Sequence, residues 1–236
     1  MGQGGNKRIK EVNVGDCTHI PEEIFLKLCN SIVRIEFDGQ KKTSTGFFMK
    51  IDINNKTYNC LLTCNHSITE EDVNSYKIIN ILSGPSNKEK KVKLNLDKNE
   101  RFIIYMEQLD VTIIEILLKD KIKDKKFLYP DLNYKNGYAQ YINTHIYTGG
   151  YPNVDIYNNQ RHISSGKIEK IENGIIIHNC DTRYGSSGSP LIDNNKRVIG
   201  IHYGSNKEKT KNEGTFIGNI LEELNSKNLQ KKNKNN

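Results

Sequence analysis

The folds open to this chain are limited most by the rhythm of its apolar segments. Residues 31–37, 46–53, 57–63, 76–82, 101–105 and 111–118 concentrate Ile, Leu, Val, Phe and Tyr in stretches five to eight residues long. The pattern resumes at 144–148, 162–171, 174–178, 190–192, 197–202 and 215–217. Asn, Gly, Asp and Lys separate the runs, and Asn54, Asn55 and Lys56 form a hairpin signal. Short strands divided by turns, with no helical period between them, predict an antiparallel barrel or sandwich rather than alternating strands and helices. About twelve such runs divide near 125–140, where the chain turns Lys-rich and then rich in Tyr, Asn and Gly. The expected fold class is all-β, with two six-stranded antiparallel barrels. A short helix is expected behind Pro21, with Glu22 and Glu23 in its first turn and Ile24, Phe25 and Leu28 on one face. A C-terminal helix is expected over 219–229, from Ile220, Leu221, Leu224 and Leu229. The N-terminal barrel would span 17–130 and the C-terminal one 131–226. They would lie between a flexible Gly-rich terminus, 1–16, and a disordered basic tail, 227–236.

Composition narrows the function. The net charge of +7 invites a nucleic-acid reading, but the excess is scattered and partly spent in the tail, so no nucleic-acid surface is expected. Five cysteines, Cys17, Cys29, Cys60, Cys64 and Cys180, stand in a chain with no apolar N-terminal segment for secretion. Reduced thiols and a cytoplasmic location are therefore expected. No run approaches the ~18 apolar residues of a membrane span. Met1-Gly2, followed by Lys7, Arg8 and Lys10, resembles a lipid-anchor start. Asn6 stands where that motif wants Ser or Thr, so a plain floppy terminus is preferred over a membrane tether through Gly2. Cys60 and Cys64 have no second pair elsewhere, so neither a metal site nor a cofactor is expected. Cys64 shares a strand face with His66, but a packed thiol is the preferred reading over a Cys–His catalytic pair.

The densest chemistry lies in Asp181-Thr-Arg-Tyr-Gly-Ser-Ser-Gly-Ser-Pro-Leu191. Acyl transfer needs a nucleophilic oxygen on a tight turn with backbone N–H groups beside it. Ser187 fits the nucleophile, and the N–H groups of Gly185 and Ser187 fit an oxyanion hole. Gly188 keeps the approach open. His66 closes the apolar run Leu61-Leu-Thr-Cys-Asn-His, where a general base is held firmly at a cleft edge. Asp110 opens the strand Asp-Val-Thr-Ile-Ile, where its carboxylate can fix the imidazole tautomer. Each signal alone has a plain structural reading. Together they follow the order His, Asp, Ser on a two-barrel pattern, the order given for chymotrypsin folds.

Over roughly 30–225 the sequence resembles the trypsin-like, chymotrypsin-fold serine peptidases, and within them the bacterial glutamyl endopeptidases. The blocks are Leu61–Ile68, Leu109–Ile116, Tyr147–Pro152, Ser165–Ile168, Tyr184–Leu191 and Arg197–Gly204. The resemblance implies a catalytic triad of His66, Asp110 and Ser187 acting through an acyl-enzyme on protein or peptide substrates. It implies a substrate strand laid along His202, Tyr203 and Gly204. Thr182 and His202 occupy the places that bind a substrate carboxylate, which implies cleavage after Glu or Asp. Asp181 occupies the place where trypsins select Lys or Arg. A basic preference is therefore an alternative, and a peptide-binding module without catalysis is another. Ser186 stands where trypsins place the Asp that receives a new N-terminal amine, so that activation switch is not expected.

Overall fold

The computed structural model describes residues 19–37, 43–84, 89–152, 160–208 and 210–234, with side chains as far as 226. The expectations for Gly2 and for 1–16 lie outside these residues.

The first sheet contains β1 (Ile32–Phe37), β2 (Thr43–Ile53), β3 (Lys56–Thr63), β4 (Ile78–Ser83), β5 (Lys90–Asn95), β6 (Ile103–Met106) and β7 (Val111–Glu115). Its order is β5-β4-β1-β2-β3-β7-β6, antiparallel throughout. The second contains β8 (Tyr129–Pro130), β9 (His145–Gly150), β10 (His162–Glu172), β11 (Ile175–His178), β12 (Ser189–Ile192), β13 (Arg197–Ser205) and β14 (Asn212–Phe216). Pairing of β12 with both β9 and β13 closes six of these strands into an antiparallel barrel, and β8 joins β13 in parallel. Among the described residues three α-helices accompany the strands: α1 (Glu22–Ser31), α2 (Glu70–Tyr76) and α3 (Ile217–Lys234).

Local chemistry explains the elements. Asn54 and Asn55 both adopt left-handed backbone, φ 52° and 59°, the two-residue turn that suits the twist of the β2–β3 hairpin. Strand β2 is buried along nearly its whole length because both of its faces have partners. Phe48 packs with Val33, Ile35, Leu61 and Ile114 inside the first sheet. Phe47, Met49 and Ile51 join Ile146, Leu191, Ile201 and Phe216 in a core shared with the second barrel and α3. The two sheets thus enclose one continuous apolar interior between them.

Four elements depart from the sequence expectation, one of them the short strand β8, which lies in the stretch where the runs were expected to divide. Helix α2 was not foreseen; Thr69 and Asp72 form a reciprocal capping box at its start, and the strand expected from 76 begins at Ile78. Strand β5 lies in a Lys-rich stretch that is not among the expected runs. Its lysines alternate with Val92 and Leu94, and of its residues only Leu94 is fully buried, so the lysines line a solvated edge. Helix α3 continues to Lys234, beyond 229 and into the range expected to be disordered. Lys, Gln and Leu are good helix formers, so the backbone carries on with local hydrogen bonds.

Two anchorages position the cleft. The connection between sheets is itself zipped to both: Leu128 exchanges hydrogen bonds with Phe48 and Lys50 on β2, and Asp131 N–H donates to Val198 on β13. The β6–β7 hairpin, whose turn carries Asp110, is clamped at its open end. Arg101, fully buried, donates to both oxygens of Asp120 at 2.9 and 3.1 Å and to the Glu115 carbonyl at 2.7 Å. Asp120→Ala would strand a guanidinium away from water. Urea unfolding is expected to show a loss of about 3–5 kcal/mol, and an unchanged midpoint would contradict the clamp.

Candidate functional site

Asp110 follows a single 3-10 turn, Glu107–Leu109, and takes left-handed backbone at φ 51° before β7 begins. That conformation turns its carboxylate back toward the end of β3. One oxygen accepts the His66 backbone N–H at 2.8 Å, and the other faces His66 Nδ1 at 2.6 Å. The Asp110 carbonyl accepts Asn65 N–H at 3.0 Å. From the second barrel, Thr215 Oγ1 donates to the Leu109 carbonyl at 2.7 Å, fixing the same turn from behind. The His66 side chain is 50% exposed and that of Asp110 29%, so the pair borders solvent on one side.

The Ser187 turn is built on two glycines with positive φ, Gly185 at 93° and Gly188 at 91°. Only glycine fits the second: a Cβ there would lie 2.0 Å from the Thr45 carbonyl oxygen and 2.6 Å from Thr63 Oγ1. Thr45, on β2 of the first sheet, gives its N–H to the Ser187 carbonyl at 3.1 Å and its hydroxyl to the Gly185 carbonyl at 2.8 Å. Gly188 N–H donates to the His202 carbonyl at 2.8 Å, and Ser186 N–H to Arg183 at 2.9 Å. Among the described residues, the N–H groups of Gly185 and Ser187 donate to no protein acceptor. Ser187 Oγ donates to the Tyr203 carbonyl at 3.0 Å; the serine-to-imidazole hydrogen bond of the expected triad is not formed in this structure.

Beside Ser187 opens a cleft of about 820 Å³ whose lining includes Thr182, Tyr184, His202, Tyr203 and Gly204. Gly204 has open space where a side chain would stand, leaving room for a ligand along β13. Asp181 lines the cleft as an ion pair with Arg183 at 2.7 Å, with both side chains more than half exposed.

Beneath the cleft lies a histidine pair that sequence reasoning found only in part. His202 is 3% exposed and His178 wholly buried, with His178 Nε2 3.2 Å from His202 Nδ1. Burial drives both below the ordinary imidazole value, His178 to about 3 and His202 to about 4. Both are therefore neutral at physiological pH. The signal for His178 was its place at the end of the apolar run 174–178. Thr45 carried no signal at all, since its role depends on a contact across the barrels.

Cys64 is wholly buried, and its thiol donates to the His202 carbonyl at 3.4 Å. Burial, and then the Asp110 charge, push this thiol well above its ordinary value. It is a packed thiol and not a thiolate nucleophile. Cys29, Cys60, Cys64 and Cys180 are all free.

An Asp–His pair and a glycine-flanked serine turn, on opposite sides of two packed β-sheets, are the frame of a serine-type peptidase. The family model described as trypsin-like peptidase domain matches residues 44–201, and the chain belongs to that family. Among solved structures it is similar to Deg5 (15% identity, 85% of this chain and 90% of that chain covered, TM-score 0.61). It is also similar to the Rv3671c protease from M. tuberculosis in its active form (16%, 85% and 82%, 0.59). A Glu endopeptidase in complex with MPD matches to the same degree (19%, 83% and 88%, 0.59). No helix among the described residues is long and apolar enough to cross a membrane.

The buried pair makes stability depend on pH. Both histidines have folded values depressed below the 6.5 of the free side chain, so the unfolded chain binds protons first as pH falls. Their contribution is fully present above 6.5 and is lost progressively down to about 4 and 3. For two protons the slope is up to about 2.7 kcal/mol per pH unit. Urea midpoints measured from pH 7 to 4 should fall accordingly, and His178→Asn should fall about half as steeply. Parallel curves would count against two neutral histidines.

Proposed function

We propose that the protein is an endopeptidase in which His66, Asp110 and Ser187 hydrolyse peptide bonds through an acyl-enzyme. The observation that carries this reading is the Asp110 carboxylate, which grips His66 by backbone and ring together, at 2.8 and 2.6 Å. A carboxylate at Nδ1 leaves Nε2 as the basic nitrogen and stabilises the imidazolium that forms when the serine proton is taken. On this reading the Ser187 hydroxyl leaves the Tyr203 carbonyl for that nitrogen when substrate binds, as catalytic contacts commonly tighten only then. The attacked carbonyl oxygen then receives the N–H groups of Gly185 and Ser187. His66 passes its proton to the leaving amine, and water, activated by the same base, releases the acyl group.

The preferred residue before the cut is Glu or Asp. Thr182 and His202 line the cleft next to Ser187, and a hydroxyl and a neutral imidazole can each donate to a carboxylate. The Asp181–Arg183 ion pair supports an acidic over a basic preference, because it spends the negative charge that a Lys or Arg substrate would need. Tyr203 and Gly204 offer a strand edge to the substrate backbone.

A second reading, a module that binds peptides without cutting them, draws on the Ser187 hydrogen bond to Tyr203. A fluorophosphonate probe separates the two. It should label the wild type and leave Ser187→Ala unlabelled, whereas absence of label on folded wild type would favour the binding module. In a peptide series differing before the cut, Glu and Asp should be preferred. Thr182→Val and His202→Phe are expected to lower kcat/KM for Glu peptides by about ten- to a hundred-fold, equivalent to losing one or two hydrogen bonds to a charged group. A preference for Lys or Arg would overturn the pocket assignment while leaving the mechanism intact.

A further inference from the structure

The acyl-transfer scheme leaves one thiol beside the proposed base unused. Single donor atoms from Cys64, His66 and Asp110 all lie within 4.8 Å of one another. Cys64 and His66 come from the end of β3, and Asp110 comes from the β6–β7 turn, 44 residues beyond His66. That separation hides the set from any reading of sequence spacing. The half-exposed imidazole gives it an open side, while the sulfur closes it from below. One thiol, one imidazole and one carboxylate, with a free position toward water, make the donor set that suits zinc rather than magnesium or calcium.

We propose that Cys64, His66 and Asp110 form an inhibitory site for a zinc-class divalent cation. Three protein ligands and one water would complete a tetrahedron. Ligand bonds of about 2.0–2.3 Å set the donors about 3.4–3.6 Å apart. The His66–Asp110 contact of 2.6 Å must therefore open by about 0.8 Å, and the sulfur must come to about 3.5 Å from each of its partners. Rotation of the half-exposed imidazole provides most of that movement. The His66 backbone N–H keeps its hydrogen bond to the other carboxylate oxygen and so holds this ligand in place. On binding, the ion takes Nδ1 of the neutral imidazole, whose proton moves through water to Nε2, and it displaces the thiol proton to water; the metal stays divalent and nothing is oxidised. The metallated imidazole no longer has the carboxylate to orient it or to stabilise its charge, so proton transfer from Ser187 stops.

The binding claim stands by itself; its inhibitory consequence rests on the proposed function. Cobalt(II), titrated into the intact chain, reports a thiolate ligand by a charge-transfer band in the near ultraviolet. The band should appear in wild type and in Ser187→Ala, disappear in Cys64→Ser, and need at least ten-fold more cobalt in His66→Ala. Equimolar zinc should erase it. Zinc should also stop peptide cleavage by wild type, a chelator should restore it, and Cys64→Ser should continue to cleave at the same zinc concentration. No band in wild type, or an equal band in Cys64→Ser, overturns the site. If Cys64→Ser fails to fold, an unchanged cobalt titration in His66→Ala, a variant at a half-exposed position, overturns it equally. A cobalt band on a protein that cleaves nothing would sink the peptidase reading and leave the metal site standing.

Discussion

Thr45 joins the two halves of the active cleft. Its N–H and hydroxyl hold the carbonyls of Ser187 and Gly185, its hydroxyl oxygen accepts Tyr151 N–H, and its own carbonyl accepts Thr63 Oγ1. One fully buried residue thereby ties β2 to β3, to the end of β9 and to the serine turn. Each such bond contributes only about 0.5–1.5 kcal/mol net, but leaving any of these buried groups unpaired costs more. The arrangement also explains the glycine at 188, since the Thr45 carbonyl occupies the space a side chain would need. The turn that presents Ser187 is thus shaped as much by the opposite sheet as by its own sequence.

The same contrast of surroundings sorts the histidines. His66 faces a carboxylate and water. His178 and His202 face each other in a dry interior, and burial keeps both uncharged. Chemically identical side chains thus sit in two settings, one half-exposed beside a carboxylate and the other a buried, neutral floor. On the proposed reading the floor presents polarity to a bound acid without a competing negative charge.

Much of this organisation was written locally. Alternating apolar runs and asparagine turns marked most strands, because a pleated, half-buried surface needs those residues. His66, Asp110 and Ser187 stood out because each interrupts an apolar run or a glycine turn with a reactive group, and the structure places the first two in contact. What stayed hidden depended on partners distant in sequence. Thr45 looks like any strand threonine until the serine turn arrives across the interface. His178 gains its meaning only from His202, and Arg101 from Asp120. Strand β5 was obscured by its lysines, which serve an edge rather than a core. Helix α2 could have been found from Thr69 and Asp72, whose spacing is a local signal that the neighbouring apolar run outweighed.

The zipped connection between the sheets carries a consequence for what the cleft can admit. With Leu128 bonded to β2, Asp131 to β13, and a common apolar interior behind both, parting the halves would break these bonds and wet that interior. The described structure thus favours one width of opening. A compact partner cannot be accommodated by widening it; a chain segment must already be frayed or unstructured to thread along β13. The choice of where such a protein acts would lie as much in the looseness of its target as in the identity of any one residue.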